Sequence, residues 1–464
     1  MKNLSSICIV TPLCLIAVLS TACQKTGDEE DGSGGSAPSA SSNSSSQGSG
    51  GATGTGGAGS GTGGSGEGGD AAGGNGGGNG GGSTGDPGWT RLTLLEGEAS
   101  FHDSDDIAAV YFSDLETGFV GTRSSDESAL YKATATEITD FAVPEATLTD
   151  PPGALGDYSV RAIVPTSDGL VVALDTSGAI LTSSDNFETF ELEESGIDYG
   201  IAPLEALFET DDGFVALIGS GVVATSTEGP APGVTWTETW APEGIPTTPN
   251  PFPDEGCAYG PRTRITENLN QIGGISPDGQ TVIYVGRSQD IGGEHVVCVS
   301  NDGGVFFEPR VLDVGEEASA VGPTAALMVS DTVGFVATSD FSSGAGGTAT
   351  IWKTDDAGAT WAATTIPAVV NENIVQIATI FFAPGGDVGY AAGQYGNADG
   401  PLLLKTTDGG DTWVEPSGVG SLAAAMDDAG TFGRIYTGFA LDEDNLWVGG
   451  DGAGLFYSNN GAED

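Results

Sequence analysis

The feature that most constrains this chain is a short phrase that returns at an almost constant interval. Its clearest copies are VSNDGGVFF at 299–307, KTDDAGATW at 353–361 and KTTDGGDTW at 405–413, and weaker copies lie at 181–190 and 457–464. The acidic place of the phrase recurs after 54, 52 and 52 residues, at Asp302, Asp356, Asp408 and, as an amide, Asn460. A fixed period of this size indicates one supersecondary unit repeated along the chain.

The residue types of the phrase suit a turn that satisfies its own backbone. A Ser or Thr hydroxyl and a carboxylate two residues later can both accept hydrogen bonds from the turn. The fifth-place glycine supplies a positive φ, and the eighth-place aromatic side chain packs beside the turn. We therefore assign a structural role to Ser183, Asp185, Phe190, Ser300, Asp302, Gly304, Phe307, Thr354, Asp356, Gly358, Trp361, Thr406, Asp408, Gly410, Trp413, Ser458 and Asn460.

Each period holds four strand-like runs. Two lie before the phrase, and the second of these begins with glycine and an aromatic residue, as in Gly118-Phe119 and Gly389-Tyr390. Four short strands per period indicate the blades of a β-propeller. We predict seven blades and no amphipathic helix of three turns, with blades at 98–144, 153–195, 201–243, 265–312, 320–367, 372–416 and 421–460.

The last predicted unit lacks a fourth strand, and a matching piece lies at the other end of the domain. The segment at 86–97, DPGWTRLTLLEG, looks like the second half of a phrase, with Trp89 in the place of Trp413. Pairing this segment with the last blade would remove the free edges. The predicted fold is therefore an all-β, seven-bladed propeller at 88–464, with four-stranded blades and a ring closed by its N-terminal strand.

The phrase resembles the Asp-box, also called the BNR repeat. The run from GYAAG at 389–393 to the phrase at 405–413 also resembles the propellers of photosystem II assembly factors. The resemblance covers about residues 88–464. It implies a propeller in which the acids and aromatic residues of the phrase are architectural. Asp-boxes also occur in sialidases, xyloglucanases and sortilin-type receptors, so the resemblance leaves the function open.

The segment before the propeller predicts export. Residues 1–22 have one early charge, an apolar run and small residues before Cys23, which is the pattern of a secretory signal. Residues 20–23, Ser-Thr-Ala-Cys, resemble a bacterial lipobox, although Ser20 stands where an aliphatic residue is usual. That resemblance implies lipidation of Cys23, a bilayer anchor and, because Gln24 follows, retention at the outer membrane or cell surface. Residues 23–87, rich in Gly and Ser, are predicted to be a disordered linker.

The net charge of the chain limits the classes of partner that we expect. The chain carries 65 acidic and 13 basic residues, a formal net charge of −52. Such a charge repels phosphate backbones, so we predict no nucleic-acid partner. A protein or glycan ligand stays open, no cofactor is predicted, and the protein is expected to be a monomer.

Two cysteines remain in the predicted propeller, Cys257 and Cys298. Outside the cytosol such a pair is most simply a disulfide, which would join the 244–264 insertion to its blade. We predict no metal site, because the chain has no CxxC motif and only two histidines. The acidic turn with Asp103, Asp105 and Asp106 could hold a cation or be a solvated turn, and the second is favoured.

Two classes of function compete. One is a non-catalytic binding or scaffold module, for which Arg161 and Arg434, near the starts of innermost strands, form the candidate ligand face. The other is a glycan hydrolase of sialidase-like or xyloglucanase-like type, although no catalytic residue is assigned. A binding module predicts a neutral, aromatic central face. A hydrolase predicts two facing carboxylates with perturbed pKa values.

Overall fold

The computed structural model shows seven small antiparallel sheets in a propeller ring, and it confirms the predicted all-β class. The predicted signal, Cys23, Cys257, Asp103 and Asp105 lie outside the described residues. The described residues are 88–92, 106–123, 130–143, 160–167, 169–174, 179–194, 204–210, 213–218, 222–227, 236–238, 273–287, 295–304, 307–313, 321–340, 347–368, 374–395, 400–429 and 433–463.

The strands follow one another outward within each blade, except that β1 (Thr90–Arg91) joins the last blade. Blade one contains β2 (Asp106–Asp114), β3 (Thr117–Arg123), β4 (Leu130–Ala133) and β5 (Ile138–Val143). Blade two contains β6 (Val160–Thr166), β7 (Gly169–Leu174), β8 (Ala179–Ser183) and β9 (Glu191–Glu194). Blade three contains β10 (Leu204–Thr210), β11 (Gly213–Ile218), β12 (Val222–Ser226) and β13 (Thr237–Glu238).

The remaining blades repeat this order. Blade four contains β14 (Gly273–Ile275), β15 (Val282–Arg287), β16 (His295–Ser300) and β17 (Glu308–Leu312). Blade five contains β18 (Val321–Met328), β19 (Gly334–Asp340), β20 (Ala349–Thr354) and β21 (Ala362–Ala363). Blade six contains β22 (Ile374–Phe382), β23 (Gly389–Tyr395) and β24 (Pro401–Thr406), and blade seven contains β25 (Ile435–Ala440), β26 (Leu446–Gly450) and β27 (Leu455–Ser458).

Packing explains the glycine that starts the second strand of a blade. Phe112 in β2 lies opposite Gly118 in β3, and a Cβ atom at Gly118 would lie 2.1 Å from the Phe112 ring. Phe382 and Gly389 repeat this arrangement in blade six, with a distance of 2.4 Å. The aromatic ring of the inner strand therefore needs a neighbour without a side chain.

The core is divided among the interfaces between blades. Seven clusters of buried apolar side chains lie between the seven pairs of neighbouring blades. The cluster that joins blade seven to blade one contains Phe112 and Trp447, whose rings stack with centroids 3.8 Å apart. Each blade thus buries both of its faces against neighbours, which a single blade alone cannot do.

The first described strand closes the ring, as predicted. Thr90 and Arg91 of β1 pair antiparallel with Tyr457 and Phe456 of β27. The amide of the next residue, the buried Leu92, donates a hydrogen bond of 2.9 Å to the Leu455 carbonyl. The N-terminal strand is therefore the outermost strand of blade seven.

Salt bridges also link neighbouring blades where third strands end. Lys132 on β4 contacts Glu188 of blade two at 2.9 Å. Lys353 on β20 and Lys405 on β24 make the same kind of contact with the next blade, to Asp411 at 2.7 Å and Glu463 at 3.1 Å. In each pair the lysine precedes a turn, and the acid belongs to the corner of the following blade.

Two expectations for the last blades were wrong. Residues assigned to the start of blade seven instead form helix α1 (Val419–Ala429), and the first strand of that blade begins only at Ile435. The apolar face of α1, with Leu422 and Met426, packs into the core between blades six and seven. In blade six, the fourth strand is reduced to a single bridge between Lys405 and Val414.

Candidate functional site

A β-bulge recurs near the start of the innermost strands. The strand register slips by one residue in six of them, as far as the structure describes these strands. The residue skipped by the slip is Arg161 in blade two and Tyr436 in blade seven. A bulge changes the direction of a side chain relative to its neighbours on the same strand. The bulge residue of each inner strand is therefore oriented differently from the rest of that strand.

The described inner strands surround a central cavity of about 860 Å³. Its walls come from β2, β6, β18, β22 and β25, and most of its side chains are apolar, with Tyr111 and Phe439 in edge-to-face contact at 5.6 Å. Both Arg161 and Tyr436 line it. Cavities of about 300–1,000 Å³ with a few polar groups are typical of ligand sites.

Charged residues gather where the inner strands begin. Arg434, one residue before β25, contacts the Asp451 carboxylate with its Nε atom at 3.5 Å, and the Tyr436 hydroxyl donates a hydrogen bond to the same carboxylate. Burial raises the pKa of the Asp451 carboxyl above its ordinary value, although the hydrogen bond from Tyr436 acts to lower it. Desolvation likewise raises the pKa of the Tyr436 hydroxyl.

Blade one completes this group. Arg123, at the end of β3, forms a salt bridge of 3.1 Å with Asp106, and its guanidinium lies 5.7 Å from the centre of the Tyr436 ring. We call Asp106, Arg123, Arg434, Tyr436 and Asp451 the seam network, because it joins blade seven to blade one. Its two arginines face its two aspartates, so the network is close to neutral.

The two arginines of the candidate ligand face lie in different surroundings. Arg161 lines the cavity, whereas Arg434 belongs to the seam network and does not line the cavity as described. Tyr436, not Arg434, occupies the bulge position that corresponds to Arg161. Asp451, Tyr436 and Arg123 cannot be recognised from the sequence, because a bulge and a contact between the first and last blades leave no local pattern.

The repeated phrases form turns with shared hydrogen bonds. In five copies the first-place hydroxyl donates to the third-place side chain at 2.7–3.0 Å. The same hydroxyl accepts a hydrogen bond from the fifth-place amide at 2.8–3.1 Å. The residues concerned are Ser183 and Asp185, Ser300 and Asp302, Thr354 and Asp356, Thr406 and Asp408, and Ser458 and Asn460.

The rest of each turn is held by the carboxylate and the aromatic residue. The hydroxyl and the amide of Thr412 donate hydrogen bonds to the Asp408 carboxylate at 2.6 and 2.9 Å. These bonds hold the pKa of the Asp408 carboxyl at about 2, and the bond from the hydroxyl has the larger effect. The Trp413 indole donates to the Gly410 carbonyl at 3.1 Å. Trp361 and Gly358 repeat this last contact.

The other aromatic anchors differ in burial. Phe307 is buried, whereas Phe190 is half-buried against the core between blades one and two. The fifth-place glycines Gly304, Gly358 and Gly410 have φ values of 89°, 81° and 86°. None of the phrase residues lines the central cavity, so the turns shape the blades and not the cavity.

The cysteine and acidic-turn predictions fall partly outside the described residues. Cys298, on β16, is buried and takes part in a disulfide. Its pairing with Cys257 stays a prediction. Of the acidic turn, Asp106 is described and is bound to Arg123. Among the described residues, no group of three or more His, Cys, Asp and Glu side chains is placed to hold a metal ion.

Within the described ranges, no helix has the length and apolar character that a membrane crossing requires. No protein-family model matches the chain, and no curated protein matches its sequence significantly.

Solved structures with a similar fold include a GH74 xyloglucanase from Xanthomonas campestris, with a TM-score of 0.51 and 15% identity over 80% of this chain. The chain spans 53% of that xyloglucanase. YCF48 from Cyanidioschyzon merolae has a TM-score of 0.48 and 14% identity over 80% of this chain and 98% of its own. YCF48 bound to a D1 peptide has the same score and identity, with 97% of its chain covered. At these identities the likeness shows the fold alone.

Proposed function

We propose that this chain is an exported, lipid-anchored protein of a bacterial cell envelope whose propeller is a non-catalytic binding or scaffold module. The anchor rests on the sequence before the propeller, where small residues precede Cys23. The propeller belongs in this proposal to the Asp-box propellers, as the phrases at 299–307, 353–361 and 405–413 indicate. Its ligand is a protein or a glycan.

The observation that carries this proposal is the chemistry of the central cavity. Its described lining contains no carboxylate, and it offers aromatic and aliphatic side chains instead. Hydrolysis of a glycosidic bond ordinarily uses two carboxyl groups that flank the substrate. A cavity without them suits binding better than catalysis.

One observation favours the alternative, a glycan hydrolase. Asp451 is buried, its pKa is raised, and it lies beside Tyr436 and Arg434, which are residue types found in glycosidase sites. Against this, Asp451 and the other acid of the seam network, Asp106, each contact an arginine and are not part of the described cavity lining. Ion pairing of both acids removes the pair of available carboxylates that a hydrolase needs.

Site-specific photo-crosslinking in cells tests the binding role. A photoreactive amino acid replaces Ala162, which lines the cavity, or Asp387, which is exposed outside it and serves as the control. We expect one partner to be captured from position 162 and not from position 387. Equal capture at both positions would contradict the assignment of the cavity as the binding site.

A parallel assay tests the hydrolase. The purified protein is incubated with xyloglucan and with sialylated oligosaccharides, and released sugars are measured. The binding proposal expects no release. Release that disappears in the Asp451→Asn variant, while the variant keeps its melting temperature, would establish the hydrolase in its place.

A further inference from the structure

The two ends of the inner strands differ in charge. At their start acids and bases occur together, because Arg161 and Glu205 are the bulge residues of neighbouring strands and the seam network is close to neutral. Where the inner strands of blades one and seven end, the hairpin turns that lead into β3 and β26 carry acids and no lysine or arginine. These acids are exposed, and we call them the acidic rim: Asp114, Glu116, Asp442, Glu443 and Asp444.

The acidic rim borders an opening of the central cavity. Ser113 and Leu441 line the cavity, and each directly precedes an acid of the rim. Ser113 is exposed, so the cavity reaches the surface beside the rim. The pKa of Tyr111, another lining residue, is raised above its ordinary value by burial and by the charge of Asp114. The negative potential of the rim therefore extends onto the cavity wall.

Apolar side chains lie next to the acids of the rim. Leu115, in the turn of blade one, is 39% exposed, and it is one of three large apolar side chains that are exposed in the described part of the chain. Leu441 and Phe439 are half-buried against the core between blades seven and one. The opening thus combines an apolar contact surface with negative charge.

We propose that this opening binds a basic polypeptide segment, with one or two large apolar side chains in the cavity and lysine or arginine side chains against the acidic rim. The inference rests on the proposed function, because it takes the cavity to be the binding site. An apolar centre surrounded by polar contacts is the usual composition of a protein interface. Opposite potentials across an interface speed association and exclude partners of the wrong charge.

The distribution of the acids favours a polypeptide over a small cation. The rim belongs to two turns on two different blades. One cationic group pairs with acids within about 4 Å, whereas a segment with several basic residues engages both turns at once. The backbone groups of such a segment are not stranded, because the opening is exposed to water. An anionic lipid surface is repelled by the same charge.

Peptides of equal length that differ in charge and in apolar content test the proposal. The acetylated and amidated peptides KKFLFKK, KKGSGKK and EEFLFEE are titrated calorimetrically into the full chain carrying Cys23→Ala. The titrations are made at 150 mM salt, where attraction by distant acids is screened over about 8 Å. We expect KKFLFKK to bind at least about tenfold more tightly than KKGSGKK, a difference of about 1.4 kcal/mol, and EEFLFEE not to bind.

A rim variant tests whether the acids at the opening attract the peptide. It combines Glu116→Gln, Glu443→Gln and Asp444→Asn, which remove three charges. Asp114 and Asp442 are kept, because their carboxylates accept hydrogen bonds from the amides of their own turns. Loss of three exposed ion pairs is expected to weaken KKFLFKK binding about fivefold or more.

A control variant with the same change in net charge separates the rim from the general acidity of the chain. It combines Glu191→Gln, Asp313→Asn and Asp427→Asn. These three acids are exposed and lie outside the described lining of the cavity. Because the salt screens distant charges, we expect the control variant to bind KKFLFKK as the parent does.

A second pair of variants tests the apolar surface. Leu115→Ser and Val311→Ser each remove one exposed apolar side chain, the first at the opening and the second on the outer strand of blade four. Leu115→Ser is expected to weaken KKFLFKK binding about threefold or more, whereas Val311→Ser should leave it unchanged. Circular dichroism and the melting temperature of each variant show whether it is folded.

Four results would overturn the inference. They are no binding of KKFLFKK, equal or tighter binding of EEFLFEE, equal affinities of the rim variant and its control, and tighter binding of dodecyltrimethylammonium than of KKFLFKK. The last result would assign the opening to a small amphipathic cation. The proposed function has a separate readout, since it fails if photo-crosslinking is equal at positions 162 and 387 or if the glycan assay shows hydrolysis.

Discussion

Closure of the ring by residues 88–92 gives the sharpest test of the fold. We compare a chain that starts at residue 86 with one that starts at residue 98, which lacks β1. The shorter chain loses the buried Leu92, the half-buried Trp89 and the pairing of β1 with β27. It also loses two specific hydrogen bonds, from Leu92 to Leu455 and from the Trp89 indole to the Gly418 carbonyl at 3.1 Å.

These losses set the expected magnitude. Burial of a leucine contributes about 1.5–3 kcal/mol, half-burial of a tryptophan a comparable amount, and each hydrogen bond about 0.5–1.5 kcal/mol net. We therefore expect the free energy of unfolding to fall by about 4–9 kcal/mol, where a typical domain has about 5–15 kcal/mol in total. The chain that starts at residue 98 should be largely unfolded or aggregated.

Urea unfolding followed by circular dichroism measures the difference, because this signal does not depend on Trp89. Removal of 24–85 alone is the control, and it should leave the midpoint unchanged, since that sequence has no aromatic residue and little apolar surface. The Leu92→Ala variant should lose about 2–4 kcal/mol. Equal midpoints for the chains starting at 86 and 98 would show that β1 does not hold the ring closed.

Four further predictions concern the anchor, one turn and one helix. Cys23→Ala should move the protein from the membrane fraction to the soluble fraction, as immunoblotting of fractionated cells would show, and continued membrane association would reject the lipobox. The pKa of Asp408, about 2, lies below the value of about 3.9 in an unfolded chain, so its stabilising effect is complete above pH 4 and is lost as the pH falls toward 2. Asp408→Asn should therefore flatten the dependence of urea midpoints on pH between 4 and 2, and an unchanged slope would contradict this. Gly410→Ala should lower stability by about 1–3 kcal/mol, because its Cβ atom would lie 2.3 Å from the Phe335 ring at a φ of 86°. Gly420→Ala on the open first turn of α1 should raise stability by about 0.5–1 kcal/mol, and thermal melts that show the same sign for both variants would refute the packing argument.

The propeller class could be predicted because its repeated turn is local. The hydroxyl, carboxylate and glycine of a phrase such as 405–413 contact one another within a few residues, so their spacing is visible in the sequence. Ring closure was also predictable, since Trp89 stands where a missing anchor was expected. Its indole nevertheless bonds to Gly418 and not to a residue of its own turn.

Helix α1 was missed although its signal was present. Its sequence, VGSLAAAMDDA, consists largely of strong helix formers, and Leu422 and Met426 share one face. The regular period of 52 residues led to the expectation of an inner strand there. The 52-residue spacing of the phrases is kept because helix α1 lies in the chain segment between the corner of blade six and Ile435.

The candidate site was harder to predict than the fold. Arg161 could be singled out because it lies near the start of a predicted innermost strand. Asp451 and Arg123 could not, because they meet only through the contact between the last blade and the first, more than 300 residues apart in sequence. The bulge that orients Tyr436 depends on strand register, which the residue pattern does not show.

The lysines between blades have a consequence for chemical labelling. After residue 25 the sequence contains three lysines, Lys132, Lys353 and Lys405, and each contacts the acid of the following blade. Such pairs contribute little stability individually, about 0–1 kcal/mol. Their amines are nevertheless reporters of position, because an amine engaged with a carboxylate reacts more slowly than one in water. Amine-reactive reagents applied to this propeller would therefore report local opening at three defined junctions, each read as modification of a single residue.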